Sequence, residues 1–224
     1  MPNWCDTHYT IYGSKDTRKT IVDAIRRVEK KSKKENAKYE KEKARLEKQG
    51  LASSEIFEKL REKNLWWHCD IWLYSILLEL GYSEKFLETF HENIRGYITD
   101  YDEGEDDLSI YCDTAWVESY GFRHLLLDKF QGDDPDIKIL YTAEEPGMDY
   151  FYTNDDDYVG EYVVDIEDDS TDYESEDSVI SIVNDRLNLE CKTVEEAIAA
   201  ANKHNEETDK YDHIWIHQFS YCND

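Results

Sequence analysis

No run of 18 apolar residues occurs in the chain, and its start lacks a charged stretch followed by an apolar one. Neither a membrane span nor a secretory leader is expected, and the expected location is the cytoplasm. No CxxC pair is present, and the cysteines (Cys5, Cys69, Cys112, Cys191 and Cys222) are odd in number. Free, buried thiols in a reducing compartment follow as the expectation. Also missing are GxSxG, a glycine-rich phosphate loop, a Cys–His signature and a second histidine at helical spacing from His91. Without these the chain offers no recognisable nucleophilic or metalloprotease centre, so no catalytic residue and no cofactor are expected. Cys5, His8, His68 and Cys69 lack zinc-ligand spacing. A calcium loop begun at Asp155 places Asp157 and Gly160 correctly, but sets Val159 and Ile166 where ligands are required. His213 and His217 share a strand face with Trp215 between them, roughly 13 Å apart at about 3.3 Å per residue, too far to share a metal. They read as surface or interface histidines.

Bases are scarce over most of the chain. The formal net charge is −26, from 26 basic and 52 acidic residues. Residues 15–63 hold 17 Lys and Arg against 10 Asp and Glu, whereas residues 64–224 hold 9 against 41. The molecule is bipolar, with a basic helical arm at about residues 29–50 and a strongly acidic body. Between 155 and 177 stand twelve acids and no base: Asp155, Asp156, Asp157, Glu161, Asp165, Glu167, Asp168, Asp169, Asp172, Glu174, Glu176 and Asp177. On an extended chain that is one charge per roughly 6 Å, against one per about 3.4 Å along a DNA strand.

What is present is enough for a core: 40% of residues are hydrophobic, and 17 Tyr and 6 Trp combine apolar area with a polar tip. Residues 8–12 read as a strand, and Ser14 or Asp16 caps a helix whose Ile21, Val22, Ile25 and Val28 form one stripe. Beyond Val28 the helix turns Lys/Glu-rich and solvated; residues 16–49 would span roughly 50 Å at about 1.5 Å per residue. Gly50 breaks it, and Ser53 or Ser54 caps the next. Residues 65–80 are apolar nearly all round and read as a central buried helix; Ser83 caps another that ends at Gly96, and 101–107 read as an acidic loop. Residues 108–112 alternate as a strand. A helix over 121–130 places Phe122, Leu125, Leu126 and Phe130 on one face, and strands follow at 137–141 and 148–153. Between those two strands Pro146 presets a turn and Gly147 accepts a positive φ. Strands are expected over 161–166, 179–183 and 213–219, with an acidic linker over 167–177 and a Thr193-capped helix between the last two.

Two blocks of the chain, about 60 residues together, resemble the YubB-type ferredoxin-like family of plasmids, phages and other mobile elements. The opening Met1-Pro2-Asn3-Trp4-Cys5 carries the first. Thr114-Ala115-Trp116, Phe130, and the run through Glu144, Glu145, Pro146, Gly147, Met148 and Asp149 carry the second. Where that family has a Ser-Pro-Pro-like loop, this chain has Val117-Glu118-Ser119-Tyr120. The family has no established biochemical activity, so the resemblance implies fold and origin, and no catalytic residue.

The expected fold is α+β: a ferredoxin-like antiparallel sheet with helices on one face, built from 1–14 and 108–224, with a large helical insertion over 15–107. The expected function is that of a non-enzymatic acidic protein of a mobile element. The twelve acids would engage a host protein with a basic cleft, such as a defence nuclease or CRISPR effector, and block it in anti-CRISPR or anti-restriction fashion. Two alternatives are a nucleic-acid-associated adaptor working through the basic arm, and a small hydrolase using an acid pair such as Glu144 and Glu145.

Overall fold

The computed structural model describes residues 3–63, 65, 71–166, 169–170, 174–208 and 212–222. The chain is α+β, with seven α-helices among these residues and mostly antiparallel strands. It divides into two compact units, Trp4–Ile139 and Leu140–Asp224.

In the N-terminal unit β1 (Trp4–Tyr12) pairs antiparallel with β4 (Asp107–Ala115), β4 with β3 (Gly96–Glu103), and β3 with β2 (Ile71–Trp72). Successive side chains alternate across a strand. Cys5, Thr7, Tyr9 and Ile11 therefore share one face with Leu108, Ile110, Cys112 and Thr114, and all eight are buried. Helices supply the rest of this core. The expected stripe Ile21, Val22, Ile25 and Val28 is buried on α1 (Lys15–Glu47), with Leu73, Ile76 and Leu77 on α3 (Leu73–Glu79). Phe122, Leu125, Leu126 and Phe130 are buried on α5 (Tyr120–Phe130). Ser14 caps α1, its Oγ accepting from the Thr17 N–H at 3.2 Å. At 33 residues α1 is about 50 Å long. Its far half has company: the chain reverses at Gly50 (φ 73°), and α2 (Ser53–Glu62) buries Ile56 and Leu60 with Leu46. Ala52 is the N-cap there, its N–H donating to Glu55 at 3.0 Å, so Ser53 begins the helix instead of capping it.

Three expected elements take another form. Within 65–80 the helix begins only at Leu73, because Ile71 and Trp72 pair with β3; residues 66–70 lie outside the described ones. An apolar run reads alike for a buried strand and a buried helix. The segment before β4 is a strand, not a helix end and acidic loop. Gly96 opens β3, where a Cβ would stand 2.7 Å from the Asp113 carbonyl oxygen, and the preceding helix α4 (Glu84–Leu87) gives way to a 3-10 turn at Glu88–Asn93. Third, 179–183 is helical.

In the C-terminal unit β5 (Lys138–Glu145) runs antiparallel to β6 (Tyr150–Thr153), and β6 pairs parallel with β10 (Ser220–Tyr221). A second sheet has β7 (Tyr162–Ile166) between β8 (Asp169–Ser170) and β9 (Ile214–Gln218). α6 (Glu176–Leu187) and α7 (Val194–Glu207) pack Val179, Val194 and Ala201 against Tyr162, Val164 and Ile214. Ser175 caps α6, and Glu176 and Asp177 sit in its first turn, where acids favour a helix start. That local chemistry overrides the strand preference of Val179, Ile180, Ile182 and Val183. The described residues of the expected 167–177 linker are paired: β8 folds back on β7, and Tyr162 and Glu174 exchange backbone hydrogen bonds at 2.9 and 2.7 Å.

The Val117-Glu118-Ser119-Tyr120 segment holds the N-terminal core together. Glu118 and Arg123 are both buried, and Arg123 Nε donates to Glu118 Oε1 at 3.1 Å. Tyr9 reaches the same oxygen from β1, also at 3.1 Å, and its own oxygen accepts from the Ser119 N–H. Burial, with Glu118 beside it, raises the Tyr9 hydroxyl well above its ordinary pKa, so it remains a donor. Arg123→Met is expected to cost about 3–5 kcal/mol in chemical denaturation, because it strands a buried carboxylate. Glu118→Leu combined with Arg123→Met should cost markedly less than the single change.

On the opposite face of this sheet Asp6 stands directly across from Asp113. Partial burial, then Asp113, hold the Asp6 carboxyl above its ordinary value. The folded chain thus binds that proton more tightly than the unfolded one, so the penalty is full at neutral pH and fades as pH falls through the raised value. Asp6→Asn is expected to stabilise by about 0.2–1 kcal/mol at neutral pH, a gain that disappears towards about pH 4 in urea melts.

Candidate functional site

The C-terminal unit contains a cavity of about 790 Å³ between the 146–149 turn, α7 and β9. In the β7–β9 register Val163 pairs with His217 and Asp165 with Trp215. Asp165, Trp215 and His217 line the cavity together with Ile216 from the other face of β9. His217 is buried and stacks on Phe151, ring centres 4.3 Å apart and planes within 12°. Its Nδ1 lies 2.8 Å from Asp149 Oδ1, and its Nε2 lies 3.5 Å from Asp165 Oδ2. Trp215, 49% exposed, stands beside it, and Met148, Ile198, Ala201 and Asn202 complete the wall.

The turn that delivers Asp149 is Glu145-Pro146-Gly147-Met148. It forms a 3-10 turn, and the left-handed residue is Asp149 (φ 53°), not Gly147 as expected. Gly147 meets a spatial demand instead, since a Cβ there would stand 3.0 Å from Glu145 Oε1. A short polar side chain such as Asp tolerates the left-handed region, and its Oδ1 is thereby brought to His217.

Both ring nitrogens of His217 face carboxylates. Nδ1 is hydrogen-bonded to Asp149, whereas Nε2 approaches Asp165 only at an ion-pair distance. Two carboxylates, an indole and apolar walls are the elements of a cation-accepting site.

The twelve acids of 155–177 are dispersed among several elements. Asp156, Asp157, Glu176 and Asp177 are exposed, and Asp155, Glu161, Asp165 and Glu174 are half-buried. Asp155 Oδ1 accepts from the Asp157 N–H at 3.2 Å, and Glu174 accepts from the Ser178 hydroxyl. Glu167, Asp168 and Asp172 lie outside the described residues, as do His68 and Cys69; Asp169 belongs to β8. Among the residues carrying the family resemblance, Trp4 is exposed and Cys5 buried on opposite faces of β1. Cys5 and His8, three apart on that strand, also point to opposite faces. Trp116 is left-handed (φ 73°), in a turn where the Thr114 hydroxyl donates to the Val117 carbonyl at 2.8 Å. Glu144 is half-buried and Glu145 buried, with Glu145 Oε2 lacking a hydrogen-bond partner. Cys5 and Cys112 are buried thiols and Cys191 and Cys222 half-buried ones, none of the four in a disulfide. Burial and nearby carboxylates push the Cys112 thiol well up, which makes it unreactive.

His217 as a buried pivot was not legible from the chain; it corrects the surface or interface reading. The Ile-Trp-Ile-His alternation of β9 places His217 on the Trp215 face, but nothing local shows that Phe151 covers it. No helix of the described residues is long and apolar enough to cross a membrane. His217→Leu is expected to cost about 1–3 kcal/mol in denaturant melts, since it removes a partner from the largely buried Asp165. Asp149→Asn, at a side chain 84% exposed and with the left-handed backbone still accessible, is expected to cost less than about 1 kcal/mol. The chain matches no protein-family model, no curated protein and no solved structure.

Proposed function

We propose that this chain is a non-enzymatic interaction protein of the YubB-type ferredoxin-like kind carried by phages and other mobile elements. In this reading its acidic C-terminal unit occupies the basic cleft of a host nucleic-acid-binding or defence protein, in the manner of an anti-CRISPR or anti-restriction inhibitor. The carrying observation is the distribution of charge over the units. Residues 140–224 hold 24 acids against 4 bases, a balance of −20 within a whole-chain charge of −26. A compact body with that balance attracts a basic cleft from a distance and repels nucleic acid. With α2, β2, α3 and α4 set aside as an insertion between α1 and β3, the remaining succession β1–α1–β3–β4–α5–β5 is compatible with the βαββαβ order of ferredoxin-like chains. The basic arm supports an adaptor reading less well, because Glu29, Glu35, Glu40, Glu42 and Glu47 are interleaved with its bases. Some of those bases are met locally: Lys31 pairs with Glu79, Lys33 with Glu29, and Arg45 with Glu42, whose carboxyl Arg45 and Lys63 pull down to about 2.

The test is capture of host proteins at low and high salt with nuclease present, followed by competition between the chain and DNA for the captured protein. One nucleic-acid-binding protein should be retained at low salt despite nuclease and released by salt. Replacing Asp156, Asp157 and Asp177 by Asn and Glu176 by Gln should weaken it about tenfold or more. Unchanged affinity in that variant, or loss confined to a Lys30, Lys34, Lys38 and Lys41 to Gln variant, would overturn the reading.

A further inference from the structure

β9 is an edge strand, and the cavity beside it wraps that edge. Tyr162 turns its backbone N–H and C=O away from β9, to Glu174, whereas the Phe219 N–H donates to the Glu161 carbonyl at 3.0 Å. Opposed residues of an antiparallel pair alternate between bonded and non-bonded. Trp215 and His217 therefore address β7. Ile214 and Ile216 turn their backbone groups to the other side, where β9 has no neighbouring strand among the described residues. Ile214 is met there by a side chain: the Asn205 amide donates to the Ile214 carbonyl and accepts from the Ile214 N–H, both at 2.8 Å. Past the far end of β9, Ser220 and Tyr221 pair with β6. Carried back in that register, Met148 would lie beside Ile216. The chain has left the strand path there as a 3-10 turn, and the Asp149 N–H donates to the Pro146 carbonyl at 3.2 Å instead.

Ile216 thus lies between two stretches of edge that the chain covers itself, and it lines the cavity with the 146–149 turn and with Ile198, Ala201 and Asn202 of α7. Backbone groups on a strand edge are a template for another extended chain. Asn205 shows the chemistry that fits, a carboxamide that takes both backbone groups of an outward-facing residue. A phosphate or carboxylate could accept from the Ile216 N–H but could not donate to its carbonyl. The 24 acids against 4 bases of this unit also repel such anions. Side chains of a docked strand would alternate as those of β9 do. Those level with Ile216 would turn towards Ile198 and Ala201, and those level with Trp215 and His217 towards the indole and Asp149. No Lys or Arg lines the cavity among the described residues. Asp149, bonded to His217 through Oδ1, keeps a side chain 84% exposed and can meet a further cation.

We propose that this slot takes an extended segment of a partner protein by strand addition to β9. One residue of the segment exchanges hydrogen bonds with the N–H and C=O of Ile216; apolar side chains turn towards α7 and basic ones towards Trp215 and Asp149. The acidic-unit reading supplies only the sign of the partner's charge, and the strand pairing uses none of Asp156, Asp157, Glu176 and Asp177.

The test uses a short capped peptide of alternating lysine and valine on the full chain, with three relatives: N-methylated at the valines, N-methylated at the lysines, and with glutamate at each lysine. In the docked strand the valine N–H groups point to β9 and the lysine N–H groups away from it. Binding is read from the backbone amide resonance of Ile216 and the indole resonance of Trp215. The parent peptide should shift both and slow hydrogen exchange at Ile216. Methylation at the lysines should leave affinity within about threefold, and methylation at the valines should lower it about tenfold or more, since it removes the donor to the Ile216 carbonyl. The glutamate peptide should lose about tenfold or more. Equal affinity of the two methylated peptides, an Ile216 amide unmoved at saturation, absence of binding, or undiminished binding of the glutamate peptide would each overturn the proposal. Equal affinity of the methylated peptides with the glutamate peptide still excluded would leave the acidic-unit reading intact.

Discussion

The ion pair between Glu118 and Arg123 is the constraint on which the N-terminal unit turns. Two opposite charges are withdrawn from water, and the cost of desolvating them is offset only by close geometry and further hydrogen bonds. Tyr9 and the backbone of Ser119 complete that set. The arrangement ties the middle of β1 to the start of α5, elements more than a hundred residues apart in sequence. Most of the remaining core is apolar and could repack with small changes; this network cannot lose one member without stranding another.

Charge is used differently in the two units. Along α1 and α2 bases outnumber acids, 15 to 10, and Glu42 on α1 and Glu79 on α3 each gather two of these and neighbouring cations. The C-terminal unit has few bases, and its acids are instead accommodated by position: at the start of α6, in an Asx turn at Asp155, and against His217. Each placement lowers the local cost of an acid without lowering the net charge. The long-range field persists while the fold survives it.

Much of the fold was legible in periodicity. The stripe of α1, the alternation of β4, the apolar face of α5 and the caps at Ser14, Ser83 and Thr193 are local properties, determined by side-chain spacing and by the donors a helix start leaves open. The charge asymmetry was equally a property of the chain alone. Other features were decided by partners distant in sequence. Whether Ile71 and Trp72 were strand or helix depended on β3 being there to pair with them. Whether 179–183 was strand or helix depended on a sheet that needed covering, together with a cap that permitted a helix. His217 became a buried pivot because Phe151 stacks on it and the turn at Asp149 brings a carboxylate to its ring. Asp6 came to face Asp113 only through strand register. Composition and spacing determine what a segment can do by itself; pairing and burial, which depend on remote segments, decided which of those options it took.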